Sequence, residues 1–261
     1  MKRKEIEKNY VKKIDELKKH DKAYFVKNEP IISDGDYDQI KHEILNLEKK
    51  YNYLKNKNSP SQKVGHKPSS KFKKIAHEVP MLSLSNAFNK ENIEDFIKKI
   101  KNFLNLSNSD KITFSAEPKI DGISASLKYV DGIFTLGLSR GDGKIGEDIT
   151  ENLRTINDIP QKISKINFPK ILEVRGEVYI SKSDFKKIDK NFSNPRNAAG
   201  GSLRQKDYKE TKKIPLKFMA YAFGIANPAN FKKQSEYLKL LKSWGFKTSP
   251  LNKLVKDINE I

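Results

Sequence analysis

The chain has 261 residues, with 52 Lys and Arg against 33 Asp and Glu, giving a formal charge of +19; it is 36% hydrophobic and 10% aromatic. That length allows a real core, and the Phe and Tyr content is too high for a disordered chain. A charge of this size favours a polyanionic partner such as nucleic acid, although a Lys-rich composition alone would read the same way. Cysteine is absent, which excludes a disulfide framework, a thiol nucleophile and a Cys-based zinc site, and leaves a reducing compartment as the default. No apolar run approaches the roughly 18 residues that a membrane span needs, and the opening MKRKEIEKNY lacks the apolar centre of a signal peptide. The expectation is a soluble, cytoplasmic protein with no membrane partner.

In chain order, Ile6, Val11, Ile14 and Leu17 recur at helical spacing and predict an amphipathic helix. The turn-rich NEPIISDG follows, and Tyr37, Ile40, Ile44, Leu45 and Leu47 predict a second helix whose start is signalled by Ser33 and Asp34. Residues 55–74, KNKNSPSQKVGHKPSSKFKK, have the Ser, Pro and Lys content of a linker. The boundary falls near residue 70, between a small helical unit (1–70) and a larger one (71–261). Glu91 to Leu106 predicts another helix, with Ile93, Phe96, Ile97, Ile100 and Leu104 on one face. Strands are expected at 112–116, 123–130 and 133–139, the last two joined by Asp131-Gly132, a two-residue hairpin turn. Further strands are expected at 171–180 and 214–224, with helices near 181–190 and 233–243. Hairpins interleaved with isolated helices predict an antiparallel α+β domain and argue against a doubly wound parallel sheet.

Two motifs carry chemistry. GDGKIG at 141–146 fits a dinucleotide fingerprint, but it follows a hairpin strand and opens no strand-turn-helix unit, so a glycine-rich loop of another kind is the better reading. In AEPKIDGIS at 116–124, Lys119 stands between Glu117 and Asp121 ahead of a strand. Strand patterns on both sides imply a buried or cleft setting, where a desolvated amine can lose its proton and attack an electrophile. The bland alternative is a surface lysine paired with Asp121.

The Lys-x-Asp-Gly element at 119–122 resembles the nucleotidyltransferase motif of covalent polynucleotide ligases and capping enzymes. SPSQKVG at 59–65, HEVPMLSLSNAF at 77–88, SRGDGKIGEDIT at 139–150, NLRTI at 152–156, LEVRGEVY at 172–179 and NPRNAAGGSLRQ at 194–205 narrow this. Together they resemble bacterial NAD-dependent DNA ligases, from about Tyr24 to about Phe246.

The resemblance implies a helical NMN-recognition unit followed by an antiparallel-sheet, ATP-grasp-like adenylation domain. YFVKNEPIISDGDYD at 24–38 looks like the recognition segment, with Tyr24, Asp34, Tyr37 and Asp38 toward NAD and Phe25 where many members place His. Lys119 would be the nucleophile, and Ser83, Leu84, Glu117, Arg140 and Glu177 would line the adenylate site. Asp121 would orient Lys119 or reach Mg²⁺ through water, Glu177 would also hold the metal, and Arg196 and Arg204 would contact DNA near the nick from a loop. NAD and Mg²⁺ are the implied cofactors, and nicked double-stranded DNA, bound by a monomer, is the implied partner. The family's adenylation domain continues through Asp-Gly-Val-Val-Ile-Lys and Ala-Tyr-Lys-Phe segments, each supplying a lysine, and is followed by an oligonucleotide-binding barrel, a four-Cys zinc module, a helix-hairpin-helix domain and a BRCT domain. None of these occurs here. The expectation is therefore the N-terminal part of such a ligase, with a non-catalytic NAD-binding or DNA-binding remnant as the alternative.

Overall fold

The helical periodicity at the start of the chain becomes α1 (Arg3–Asp21) and α2 (Asp34–Lys50) in the computed structural model, which describes residues 3–21, 23, 31–32, 34–55, 59, 72–166, 168–188 and 192–260. α1 buries Ile6, Tyr10, Ile14 and Leu17 against Ile44 of α2 and Leu54, with Tyr37, Ile40 and Leu47 packed alongside. Val11 and Leu45, expected on these stripes, are exposed. The buried row of α1 follows the i, i+4, i+8 positions from Ile6, which select Tyr10 and leave its neighbour on the solvent side. The Tyr10 hydroxyl donates to Glu48 Oε1 at 2.7 Å, and Ser59 Oγ donates to the same oxygen. Burial first, and then the Glu48 contact, push the Tyr10 hydroxyl up to about 12. Most of the expected linker lies outside the described residues.

The chain continues through β1 (Lys74–Ala76), α3 (Lys90–Phe103), β2 (Phe114–Ala116), β3 (Ile123–Val130), β4 (Ile133–Ser139), β5 (Ile145–Glu147), α4 (Thr150–Arg154) and β6 (Ile171–Tyr179). It ends with α5 (Lys182–Phe185), α6 (Pro195–Leu203), α7 (Tyr208–Lys212), β7 (Lys217–Asn227), α8 (Gln234–Ser243) and β8 (Lys253–Val255). All pairings are antiparallel, with a central sheet ordered β4-β3-β6-β7 and two small ladders, β1 with β5 and β2 with β8. The fold is α+β, as the hairpin pattern predicts. Asp131 and Gly132 both have positive φ, 49° and 77°, the geometry that matches a two-residue turn to strand twist.

One face of the central sheet carries the core. Leu127, Tyr129, Leu172, Val174 and Phe218 pack there with Leu153, Leu203, Leu241 and Trp244 from the covering helices and α8's C-terminal turn. α3 starts with a reciprocal cap, Asn89 Oδ1 accepting from Asn92 N and Asn92 Oδ1 accepting from Phe88 N, both at 2.9 Å. None of its residues is buried. The segment NPRNAAGGSLRQ, expected as a loop, is mostly the helix α6. Asn194 caps it by accepting from Asn197 N at 2.8 Å, Pro195 occupies its first turn, and the small Ala198, Ala199 and Gly200 are buried. A strong cap and close packing here outweigh the helix-weakening glycines.

Candidate active site

Register along β3 and β6 builds the centre of the site. Ser124 of β3 stands opposite Glu177 of β6, so both side chains share a face, and Ser124 Oγ donates to Glu177 Oε2 at 3.0 Å. Gly122 and Gly176 allow the close approach. A Cβ at Gly122 would overlap the Val178 carbonyl oxygen and stand 2.8 Å from Glu177 Cγ, and one at Gly176 would run into Phe218 and the Met219 carbonyl.

Glu177 is 6% exposed. Burial raises its carboxyl above the usual range, opposed by the Ser124 hydrogen bond and by the charges of Arg196, Lys119 and Arg140. These cations arrive from three elements: Lys119 from the loop between β2 and β3, Arg140 from the end of β4, and Arg196 from the first turn of α6. The buried carboxylate accepts from hydroxyl groups, while Lys119 and Arg140 offer positive charge suited to phosphate and Arg196 is itself paired with Asp121.

Lys119 itself is exposed. The buried setting inferred from its flanking strands belongs to Glu177 instead, because Lys119 lies on the connecting loop and not within the pleat. Asp121 Oδ1 accepts from Arg196 Nη1 at 2.9 Å, so Arg196, expected at a DNA surface, joins the Lys-x-Asp-Gly loop. Glu117 Oε1 accepts from Ser115 Oγ and from Gln234 Nε2, both at 2.9 Å. Arg204, at the far end of α6 from Arg196, lies with Nε 3.6 Å from Oε2 of the buried Glu147 on β5.

Ser83 and Leu84 lie on an exposed arm, residues 82–88, that follows the buried Met81. Its root is well anchored: His77 Nε2 lies 3.1 Å from the Ser139 carbonyl and 3.2 Å from that of Arg140, and Met81 N donates to Gly143 O at 2.8 Å. The GDGKIG motif is the β4–β5 turn, in which Asp142 Oδ1 accepts from the amides of Lys144 and Ile145. Gly141, at φ 57°, sits so close to the Ile145 carbonyl that no Cβ fits. A hairpin turn of this kind excludes the dinucleotide-fold reading.

In the N-terminal unit, Tyr37 packs against the two-helix core, and its hydroxyl donates to Asp21 Oδ1 at 2.7 Å. Asp38 is half-buried beside it. Tyr24, Phe25 and the Asp34 side chain lie outside the described residues.

Sequence reasoning missed Tyr221 and Gln234. Arg175 pairs with Ala222 while Gly176 pairs with Ala220, so Tyr221 is the extra residue of a bulge in β7. Burial first, and then the nearby Glu177 charge, push its hydroxyl up to about 12, with Ser124 hydrogen bonding and Arg140 opposing. An alternation pattern carries no signal for a bulge. Among the described residues no three His, Cys, Asp or Glu side chains come together to hold a metal. Glu177, the expected Mg²⁺ ligand, faces cations, so the residues present do not form a cage for a resident metal.

Comparison with known proteins bears on the family. A family model described as NAD-dependent DNA ligase adenylation domain matches residues 69–261, and one described as DNA ligase-like, N-terminal NAD+-binding domain matches residues 3–65. The DNA ligase of Pelagibacter ubique (strain HTCC1062) is 56% identical over 258 residues, covering 99% of this chain and 38% of the relative. That of Xanthobacter autotrophicus (strain ATCC BAA-1158 / Py2) is 45% identical over 250 residues, 93% of this chain and 35% of the relative. That of Rickettsia bellii (strain OSU 85-389) is 44% identical over 265 residues, 98% and 38% respectively. The chain thus spans somewhat more than a third of the length of these relatives. With the adenylation-domain match running over well more than half of its residues, the chain belongs to the NAD-dependent DNA ligase family.

Proposed function

We propose that this chain performs the adenylation half of NAD-dependent DNA ligation, with Lys119 as the nucleophile. The observation that carries the reading is the buried Glu177, held by Ser124, beside a Lys-x-Asp-Gly loop that Arg196 of α6 ties down through Asp121. In the proposed reaction the unprotonated Lys119 amine attacks the α-phosphorus of NAD, a nitrogen–phosphorus bond forms, and the bond to the NMN phosphate oxygen breaks. NMN leaves with that electron pair, and the amine proton passes to solvent. Arg140 and Arg196 offset charge developing on the phosphate oxygens, and Glu177 accepts from the ribose hydroxyls. Ser83 and Leu84 of the exposed arm close on the adenosine side, and the half-buried Tyr221 offers a ring face to the base. Bound nucleotide supplies the desolvation that the exposed Lys119 lacks.

The AMP then passes to the 5′-phosphate of a nicked duplex, and the 3′-hydroxyl displaces it. DNA would be held through its backbone by the basic surface, so binding would weaken steeply with salt. Residues 1–70 form the NAD-recognition unit and residues 71–261 the adenylation domain, a division supported by two separate apolar clusters. The protein is assigned to the cytoplasm and acts as a monomer. The resemblance implies Mg²⁺ as an added cofactor.

The test is intact-protein mass after incubation with NAD and Mg²⁺. The unmodified chain should gain one AMP, excess NMN should remove it, and Lys119→Ala should show none. No gain with NAD binding retained by calorimetry would replace the reading with a non-catalytic NAD-binding module.

A further inference from the structure

The root of the exposed arm is gripped by a side chain that the reaction above does not use. Arg175 lies on β6 two residues before Glu177, with its side chain only 11% exposed. Its Nε donates to Glu173 Oε1 at 2.9 Å, its Nη1 to the Pro80 carbonyl at 3.1 Å and its Nη2 to the Val79 carbonyl at 2.5 Å. Glu173 is buried in turn, and its seat depends on Gly224, where a Cβ would stand 2.5 Å from both carboxylate oxygens. Lys128 pairs with Glu78 at the same root. Beyond Met81 the arm is exposed as far as Phe88, whose ring meets His42 of α2 edge-on at 5.5 Å. Gly224, Glu173 and Arg175 therefore form a chain of contacts from the sheet to the last two carbonyls before Met81.

We propose that Arg175 is a positioning residue for the adenosine half of NAD, acting through residues 79–84 without touching the nucleotide; this rests on the reading of the site as an NAD adenylation centre. The guanidinium suits the task. Its planar fork reaches a carboxylate and two successive carbonyls at once, whereas a lysine ammonium is a single point charge on a flexible stem. A buried ion pair is by itself weak evidence for stability. Here the donors left over from the pair are aimed at a segment outside the central sheet, and that segment carries Ser83 and Leu84.

Removing Arg175 alone would leave Glu173 buried without its charge partner, so the test compares Arg175→Met with the double variant Glu173→Gln, Arg175→Met, and with Arg175→Lys. Hydrogen exchange reads the arm directly, because the Met81 amide is protected by its bond to Gly143. The double variant should exchange about tenfold faster at Met81, with the amides of β3 and β6 unchanged and Arg175→Lys intermediate, whereas Arg175→Met alone should also loosen β6 around the unpaired Glu173. Unchanged Met81 exchange in the double variant, or an equal rise in its strands, would overturn the proposal. Calorimetry with NAD and with NMN gives the second readout. The double variant should bind NAD about tenfold more weakly and NMN as before, and an equal change in both overturns the proposal. If the unmodified chain binds no NAD, the adenylation reading fails, while Met81 exchange still decides whether Arg175 holds the arm.

Discussion

The central sheet and α3 have similar apolar raw material and put it to different use. On the sheet, Phe134 is fully buried, its ring 5.5 Å from that of Tyr129, with the Arg154 guanidinium 5.1 Å above it. On α3, the stripe residues Ile93, Ile97 and Ile100 are only half-buried, and Phe103 is 86% exposed. Phe96 meets Phe114 of β2 at 6.3 Å, and Leu104 beyond the helix stays exposed. An amphipathic stripe states which face of a helix is apolar and says nothing about what stands opposite. The functional groups follow the same division: Glu177, Ser124 and Tyr221 sit on the packed sheet, where neighbours hold them, whereas Lys119 and the Ser83–Leu84 arm extend from its rim.

Three substitutions test that contrast. Phe134→Ala should have the largest effect, about 3–5 kcal/mol of lost stability in urea unfolding, because a ring without solvent contact leaves a cavity. A loss below about 1 kcal/mol would show that the sheet core can collapse around the gap.

Glu177→Gln should have a smaller effect with an unusual sign. Burial raises the Glu177 carboxyl in the folded chain, so the folded state binds more proton than the unfolded one across the window from the ordinary carboxylate range up to the raised value. Stability contributed by the neutral acid is therefore present at low pH and lost as pH rises through that window. The unmodified chain should lose stability relative to Glu177→Gln on going from about pH 4 to about pH 7, followed by thermal unfolding at each pH. The same variant should bind NAD more weakly, since the amide brings a donor where the carboxylate only accepts. A relative gain in stability with rising pH would mean that the three cations outweigh burial.

Phe103→Ala should do least, within about 0.5 kcal/mol. A loss comparable to that of Phe134→Ala would mean that α3 is covered in solution.

Much of the site was legible in the sequence as residues, and less of it as geometry. The motif around Lys119, the RGE of β6 and the Arg140 turn stand next to strands that the alternation pattern locates to within a residue or two, and local patterning is enough for that. Tyr221 was not legible, because only the mismatch between Ala220 and Ala222 across β6 brings it into the site. Nor was the fork of Arg175, whose partners Val79 and Pro80 lie 96 and 95 residues away. Arg196 and Arg204 read as neighbouring basic residues on one loop, yet α6 places them at its two ends, one on Asp121 and the other beside Glu147.

By itself the sequence determined the α+β class, the hairpin at Asp131-Gly132, the two N-terminal helices and the family, because turn chemistry, periodicity and ordered motifs are local and survive without knowledge of neighbours. Only the tertiary structure decided that Lys119 is exposed while Glu177 is buried, that the segment before Arg204 is a helix, and that the apolar face of α3 is only partly covered. Each of these depends on what packs opposite a residue, and burial is a property of the pair in contact, which no single stretch of chain contains.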